Sequence, residues 1–129
     1  MKNIGIVNFP SSNVKNLISS LRRNKCNPKL VSNRKELHKV DKLILPGVGS
    51  AKAALDFLNQ KNMKNDLKKI INNQTPLLGI CLGMQILFKY SEEFNIRYSK
   101  QRYRLVAADT FELREAAVGL HVGLLEAGV

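Results

Sequence analysis

Cysteine is scarce in this chain: Cys26 and Cys81 are the only two. A disulfide scaffold needs more thiols than that, and the pair has no metal-ligand spacing, so reduced thiols and no bound metal are expected. Long apolar runs are missing as well. No stretch approaches the length needed to span a bilayer, and no basic leader followed by a long apolar segment opens the chain, so a cytoplasmic protein without a membrane partner is expected. Internal repeats, low-complexity segments and the compositional signs of disorder are also absent. Acidic residues are few, 10 against 21 basic ones, which leaves a net charge of +11. That excess invites a nucleic-acid partner, but the lysines are scattered among asparagines, and Arg22-Arg23 and Lys68-Lys69 are only doublets. With no helix-turn-helix, zinc-finger or RNP-like pattern beside them, a solvated lysine-rich surface is the better expectation.

What is present describes an ordinary globule. The 129 residues are 44% hydrophobic and 24% charged, enough for a core that buries roughly two-thirds of the unfolded surface. Ile4-Gly5-Ile6-Val7 reads as a buried parallel strand. Ser11-Ser12 offers an N-cap to a helix whose apolar stripe is Val14, Leu17, Ile18 and Leu21. Asn24 to Pro28 reads as a turn and Lys29 to Ser32 as a short second strand near an edge. Ser32 or Asn33 can cap a brief helix around Glu36-Leu37, and Lys42-Leu43-Ile44-Leu45 forms a third strand. A helix capped by Ser50 follows, striped by Ala51, Ala54, Leu55 and Leu58, then another with Met63, Leu67, Ile70 and Ile71 aligned. Four strands alternating with helices predict an α/β fold, a doubly wound parallel sheet of order 2-1-3-4.

The most informative stretch is Pro76-Leu77-Leu78-Gly79-Ile80-Cys81-Leu82-Gly83-Met84-Gln85. It runs an apolar strand into G-x-C-x-G and then into a helix, the order of a nucleophile elbow with sulfur in place of oxygen. A helix starting near Leu82 would aim its free N–H groups and positive dipole end at the thiol, an arrangement that primes it for attack. A second turn, Pro46-Gly47-Val48-Gly49-Ser50, ends the third strand, and in open parallel sheets ligands bind outside the carboxyl ends of the strands. Taken alone, that turn is equally well a plain β-α connection.

Together, Leu45-Pro46-Gly47-Val48-Gly49 and Gly79-Ile80-Cys81-Leu82-Gly83-Met84-Gln85 resemble the class I, or triad-type, glutamine amidotransferases. Within that class the wording is similar to the glutaminase subunits of imidazole glycerol phosphate synthases. The likeness covers residues 1 to 96, including Asp41 to Ile44 and Ser91-Glu92-Glu93. It implies a flavodoxin-like domain in which Cys81 attacks the side-chain amide of glutamine and forms a glutamyl thioester. It further implies an oxyanion hole made by Gly47, Val48 and Gly49 with the backbone N–H of Leu82, and a substrate contact from Gln85. No cofactor is implied, and the ammonia would pass to a synthase or cyclase subunit.

The chain departs from that family in three places. The triad's histidine and glutamate normally lie in an H-x-E element, and no H-x-E occurs in these 129 residues. His38 reads as a surface residue, while His121 and Glu126 have the wrong spacing and fall in a helix expected from Thr110 to Ala127. Impaired glutaminase activity is therefore expected. Composition also changes along the chain: thirteen asparagines precede Arg97 and none follows it, so residues 97–129 are expected to form a divergent tail of strand plus helix on a core of residues 1–96. Finally, Phe9-Pro10-Ser11-Ser12-Asn13 replaces the glycine-rich turn usual in the histidine-pathway family. That change keeps open a sugar-aminating synthase as the ammonia acceptor. A noncatalytic flavodoxin-like binding module that keeps the elbow as inherited architecture is the separate alternative to an enzyme.

Overall fold

Residues 2–10, 12–47, 50–73, 75–83, 85–87 and 103–106 are described by the structure, a computed structural model. Five parallel strands line up in the order β2-β1-β3-β4-β5: β1 (Asn3–Val7), β2 (Asn27–Val31), β3 (Lys42–Leu45), β4 (Leu77–Ile80) and β5 (Tyr103–Val106). The expected order of the first four strands holds. β5 extends the sheet beyond β4, with Leu77 opposite Tyr103 and Ile80 opposite Val106.

Side-chain alternation explains why helices are needed on both faces. Ile4, Ile6, Ile44, Leu78 and Ile80 point to one side, where Leu21 of α1 (Lys15–Arg23) covers them. Val7, Leu43, Leu45 and Leu77 point to the other. There Leu37 of α2 (Arg34–Leu37), Ala54 and Leu58 of α3 (Ala51–Gln60), and Leu67 and Ile71 of α4 (Lys64–Asn72) pack on them. β1, β3 and β4 are buried on both faces, which is why they read as uninterrupted apolar runs.

Two elements differ from the sequence expectation. β2 starts at Asn27, not Lys29, because its length is set by pairing with β1 from Asn3↔Asn27 to Val7↔Val31. Pro28 is tolerated since β2 is an edge strand. The second difference is the start of α1. Ser12 does not cap it: the helix begins at Lys15 after an N-cap at Val14 that makes no side-chain cap hydrogen bond, and Asn13 Oδ1 accepts from the Lys15 N–H at 3.3 Å. Ser50 does cap α3, accepting from the Ala53 N–H at 3.2 Å. Asn33 caps α2 in the same way at 3.0 Å.

One ion pair ties α2 to α4. Asp66, 1% exposed, accepts from Arg34 Nε at 2.6 Å, and His38 Nε2 lies 3.4 Å from its other oxygen. His38 is thus a surface residue with a structural contact. The helix expected from Thr110 to Ala127, with His121 and Glu126, lies outside the described residues. No helix among the described residues is long and apolar enough to cross a membrane.

Candidate active site

β3 and β4 are neighbours and run parallel, with Leu45 opposite Gly79, so the turns leaving their carboxyl ends must meet. Cys81 is the first residue past β4, and its φ is +50°. A non-glycine residue in that left-handed region is held there by its surroundings, and such positions cluster at functional sites. The surroundings are identifiable. Residues 82, 83 and 85–87 are helical, the Gln85 N–H donates to the Cys81 carbonyl at 3.1 Å, and Leu82, Ile86 and Leu87 anchor this short helix in the core.

Gly83 lets that helix sit against β3. A Cβ built on it would lie 1.8 Å from the Leu45 carbonyl oxygen, a distance no side chain can occupy. The glycine two residues after Cys81 is therefore a requirement of close approach between helix and strand, while the positive φ falls on the cysteine itself. Cys81 is partly buried and packs at the edge of the apolar cluster beneath α1, as Val14, Leu17 and Ile18 also do. Cys26 belongs to the same cluster but is buried, 6% exposed, and its thiol donates to the Asn24 carbonyl at 3.4 Å.

The glycine turn after β3 reaches this site. Gly47, at φ +138°, accepts from the Leu82 N–H through its carbonyl oxygen at 3.3 Å, and Leu82 packs over its Cα. Cys81, Leu82 and Gly47 are thus brought together, but the N–H expected to serve an oxyanion is engaged with the turn. Val48 and Gly49 lie outside the described residues. Gln85 is exposed, one helical turn beyond Cys81.

Sequence reasoning missed one neighbour. The turn after β1 also arrives here, because β1 is the other neighbour of β3, and it places Ser12 Oγ 3.5 Å from where a Cβ on Gly47 would stand. The strand order 2-1-3-4 contained that proximity, since adjacent parallel strands deliver their turns to the same edge. Among the described residues no group of three or more His, Cys, Asp or Glu side chains converges as a metal site would require.

Comparison with known proteins gives this geometry a context. The family profile described as glutamine amidotransferase class-I matches residues 5–122. The chain is 43% identical over 91 residues to the imidazole glycerol phosphate synthase subunit HisH of Prochlorococcus marinus, covering 70% of this chain and 43% of that protein. It is 42% identical over 90 residues to the subunit of the same name from Geobacillus kaustophilus, covering 70% and 43%. With HisH 2 of Campylobacter jejuni the identity is 40% over 112 residues, covering 82% and 56%. The chain therefore spans about half the length of the curated relatives it matches. Among solved structures, PurLQS from Thermotoga maritima superposes with a TM-score of 0.58 at 26% identity, over 69% of this chain and 44% of that one. A glutamine amidotransferase crystal structure at 0.55 and 19% identity, covering 63% and 42%, supports the fold alone.

Proposed function

Because the chain belongs to the class I glutamine amidotransferases, we propose that it is a glutaminase subunit which uses Cys81 to release ammonia from glutamine for a synthase partner. The partner type that its relatives support is imidazole glycerol phosphate synthase, the assembly named for the HisH subunits it is similar to. The observation that carries the reading is the left-handed backbone of Cys81 at the junction of β4 with a helix, beside the glycine turn of β3.

Cys81 Sγ attacks the side-chain carboxamide carbon of glutamine and pushes the carbonyl electron pair onto oxygen. The C–N bond then breaks, ammonia leaves with the proton taken from the thiol, and a glutamyl thioester remains. Water hydrolyses the thioester to glutamate and restores the thiol. The resemblance assigns the developing oxyanion to the Leu82 N–H, with the Gly47–Gly49 turn as the second source. Donors fixed around such an oxygen in advance contribute on the order of 3 kcal/mol each. For Leu82 to serve, its hydrogen bond to the Gly47 carbonyl has to open. Gln85, exposed next to the elbow, is the side chain proposed to hold the substrate.

Proton transfer needs a further group. The family's H-x-E element does not occur in these 129 residues, and positioned acid-base groups are worth roughly 10²–10⁴ in rate. Ammonia release, assayed with and without the synthase subunit, is expected to vanish in Cys81→Ala. Turnover that survives Cys81→Ala overturns the mechanism. Turnover lost in His121→Ala identifies that residue as the base.

A further inference from the structure

The amino end of the sheet collects positive charge from segments that are far apart along the chain. Lys2 precedes β1, Arg22 lies in the last turn of α1, Lys25 comes between that turn and β2, and Lys39 precedes β3; all four are exposed. Strand pairing brings them to one place. Asn3 stands opposite Asn27, the Asn27 Nδ2 donates to Asn3 Oδ1 at 2.7 Å, and the Asn3 Nδ2 donates to the Lys39 carbonyl at 3.4 Å. Adjacent strands lie about 4.8 Å apart, so the starts of β2, β1 and β3 span about 10 Å. That is about one Debye length in dilute salt, and the four charges add their potentials instead of acting singly.

Little at this edge offsets them. Its one acid among the described residues is Asp41, whose carboxylate accepts from the Asn3 N–H at 2.7 Å. Of the other described acids, Glu36 accepts from the Ser32 N–H at the far end of β2, Asp56 lies in α3, and Asp66 sits beneath Arg34. The negative end of the α1 dipole accounts for a cation at Arg22. It does not account for Lys2 or, after an α2 of four residues, for Lys39.

What the edge lacks identifies its anion. A protein partner is held by a buried aromatic or apolar centre, and a membrane surface by apolar side chains set among the headgroups. Leu30 is the exposed large hydrophobic among the described residues, and it stands opposite Ile6, towards the other end of β2. A phosphodiester backbone needs only cations and amides. We propose that the amino edge of the sheet binds the backbone of nucleic acid, without reading its sequence, through Lys2, Arg22, Lys25 and Lys39. Cys81 follows the carboxyl end of β4, so this site is separate from the glutamine chemistry. At about 3.4 Å of rise per phosphate, an edge of about 10 Å faces about three phosphates of one strand.

Fluorescence anisotropy of the full chain with a labelled DNA duplex of arbitrary sequence tests this. Each neutralised phosphate contributes about −0.9 to the slope of log affinity against log salt, so four contacts give about −3.6 and roughly a hundredfold loss between about 50 and 200 mM salt. With Lys2→Gln, Arg22→Gln and Lys39→Gln combined, the slope is expected to fall to about −1 and the loss to about fourfold. The control combines Lys15→Gln, Lys35→Gln and Lys52→Gln, which remove the same charge from exposed positions in the first turns of α1, α2 and α3 and are expected to keep the wild-type slope. Equal reduction by the two triple variants assigns binding to net charge and overturns the proposal, as does a wild-type chain that fails to bind the duplex at the lowest salt. Capture by anionic lipid vesicles in place of the duplex overturns it as well, because the edge would then serve a membrane surface.

Discussion

Cys81 and Gly83 divide between them the demands that the tight turn from β4 into the following helix makes on single residues. The cysteine accepts the left-handed backbone at φ +50°, a conformation that costs an L-residue about 1–2 kcal/mol. Gly83 accepts contact with the Leu45 carbonyl. Because the clash at Gly83 is with backbone of a central strand, it cannot be relieved by a side-chain rotation. Gly83→Ala is expected to destabilise by about 3 kcal/mol or more, read as a lower urea midpoint at unchanged m-value. An alanine variant of wild-type stability would show that the helix is not seated on β3 as described. The G-x-C-x-G pattern announced a tight turn. It did not say which residue would carry the strained dihedral, because that depends on where the next strand lies.

Helix ends show how elements close themselves off without glycine. After α1, Lys25 takes φ +58°, its N–H donates to the Arg22 carbonyl at 3.0 Å, and the Cys26 N–H donates to Leu21 at 3.0 Å. After α3, Asn62 takes φ +56° with equivalent bonds from Asn62 to Asn59 at 3.1 Å and from Met63 to Leu58 at 2.9 Å. Both are Schellman caps, each sealed by a hydrophobic contact within one core cluster. Lys25→Gly should add about 1 kcal/mol of stability by thermal or urea unfolding, the relief of strain exceeding the extra unfolded-chain entropy. Asn62→Gly should add less, because asparagine tolerates this backbone. The pairing of α2 with α4 makes a different prediction. The hydrogen bond from Arg34 holds the Asp66 carboxyl below the usual aspartate range, against the opposing effect of its burial, and the charges of Arg34, His38 and Lys69 lower it further. A depressed carboxylate contributes stability that is complete above its unfolded value, about 3.9, and is lost as pH falls through the folded value. Unfolding midpoints should therefore drop with acid below about pH 4 in wild type and drop less in Asp66→Asn. Parallel profiles for the two proteins would remove the ion pair from the account.

At the scale of the molecule, the sheet order makes β1, β3 and β4 interior strands and leaves β2 at an edge, with Leu30 42% exposed. Backbone amides of the three interior strands should exchange more slowly with solvent deuterium than those of β2, a difference that hydrogen exchange can read strand by strand. The same asymmetry explains what could be read in advance. Strands buried on both faces must be apolar throughout, so β1, β3 and β4 were legible, as were the stripes of α3 and α4 and the caps at Asn33 and Ser50. β2 was misplaced because a polar edge strand carrying Pro28 is made by its partner and not by its own pattern. The start of α1 was misplaced because two serines look like caps until the chain between β1 and α1 has a tertiary task. Local pattern by itself determined the α/β class, the alternation of elements, the tight turn from β4 at Cys81 and the glycine at Gly47 after β3, since each is written in residues adjacent along the chain. Only the tertiary structure decided that Leu82 and Gly47 are hydrogen-bonded to each other and that Ser12 stands beside them. Those contacts join segments more than thirty residues apart, and they exist because parallel neighbours in the sheet bring their carboxyl ends to one place.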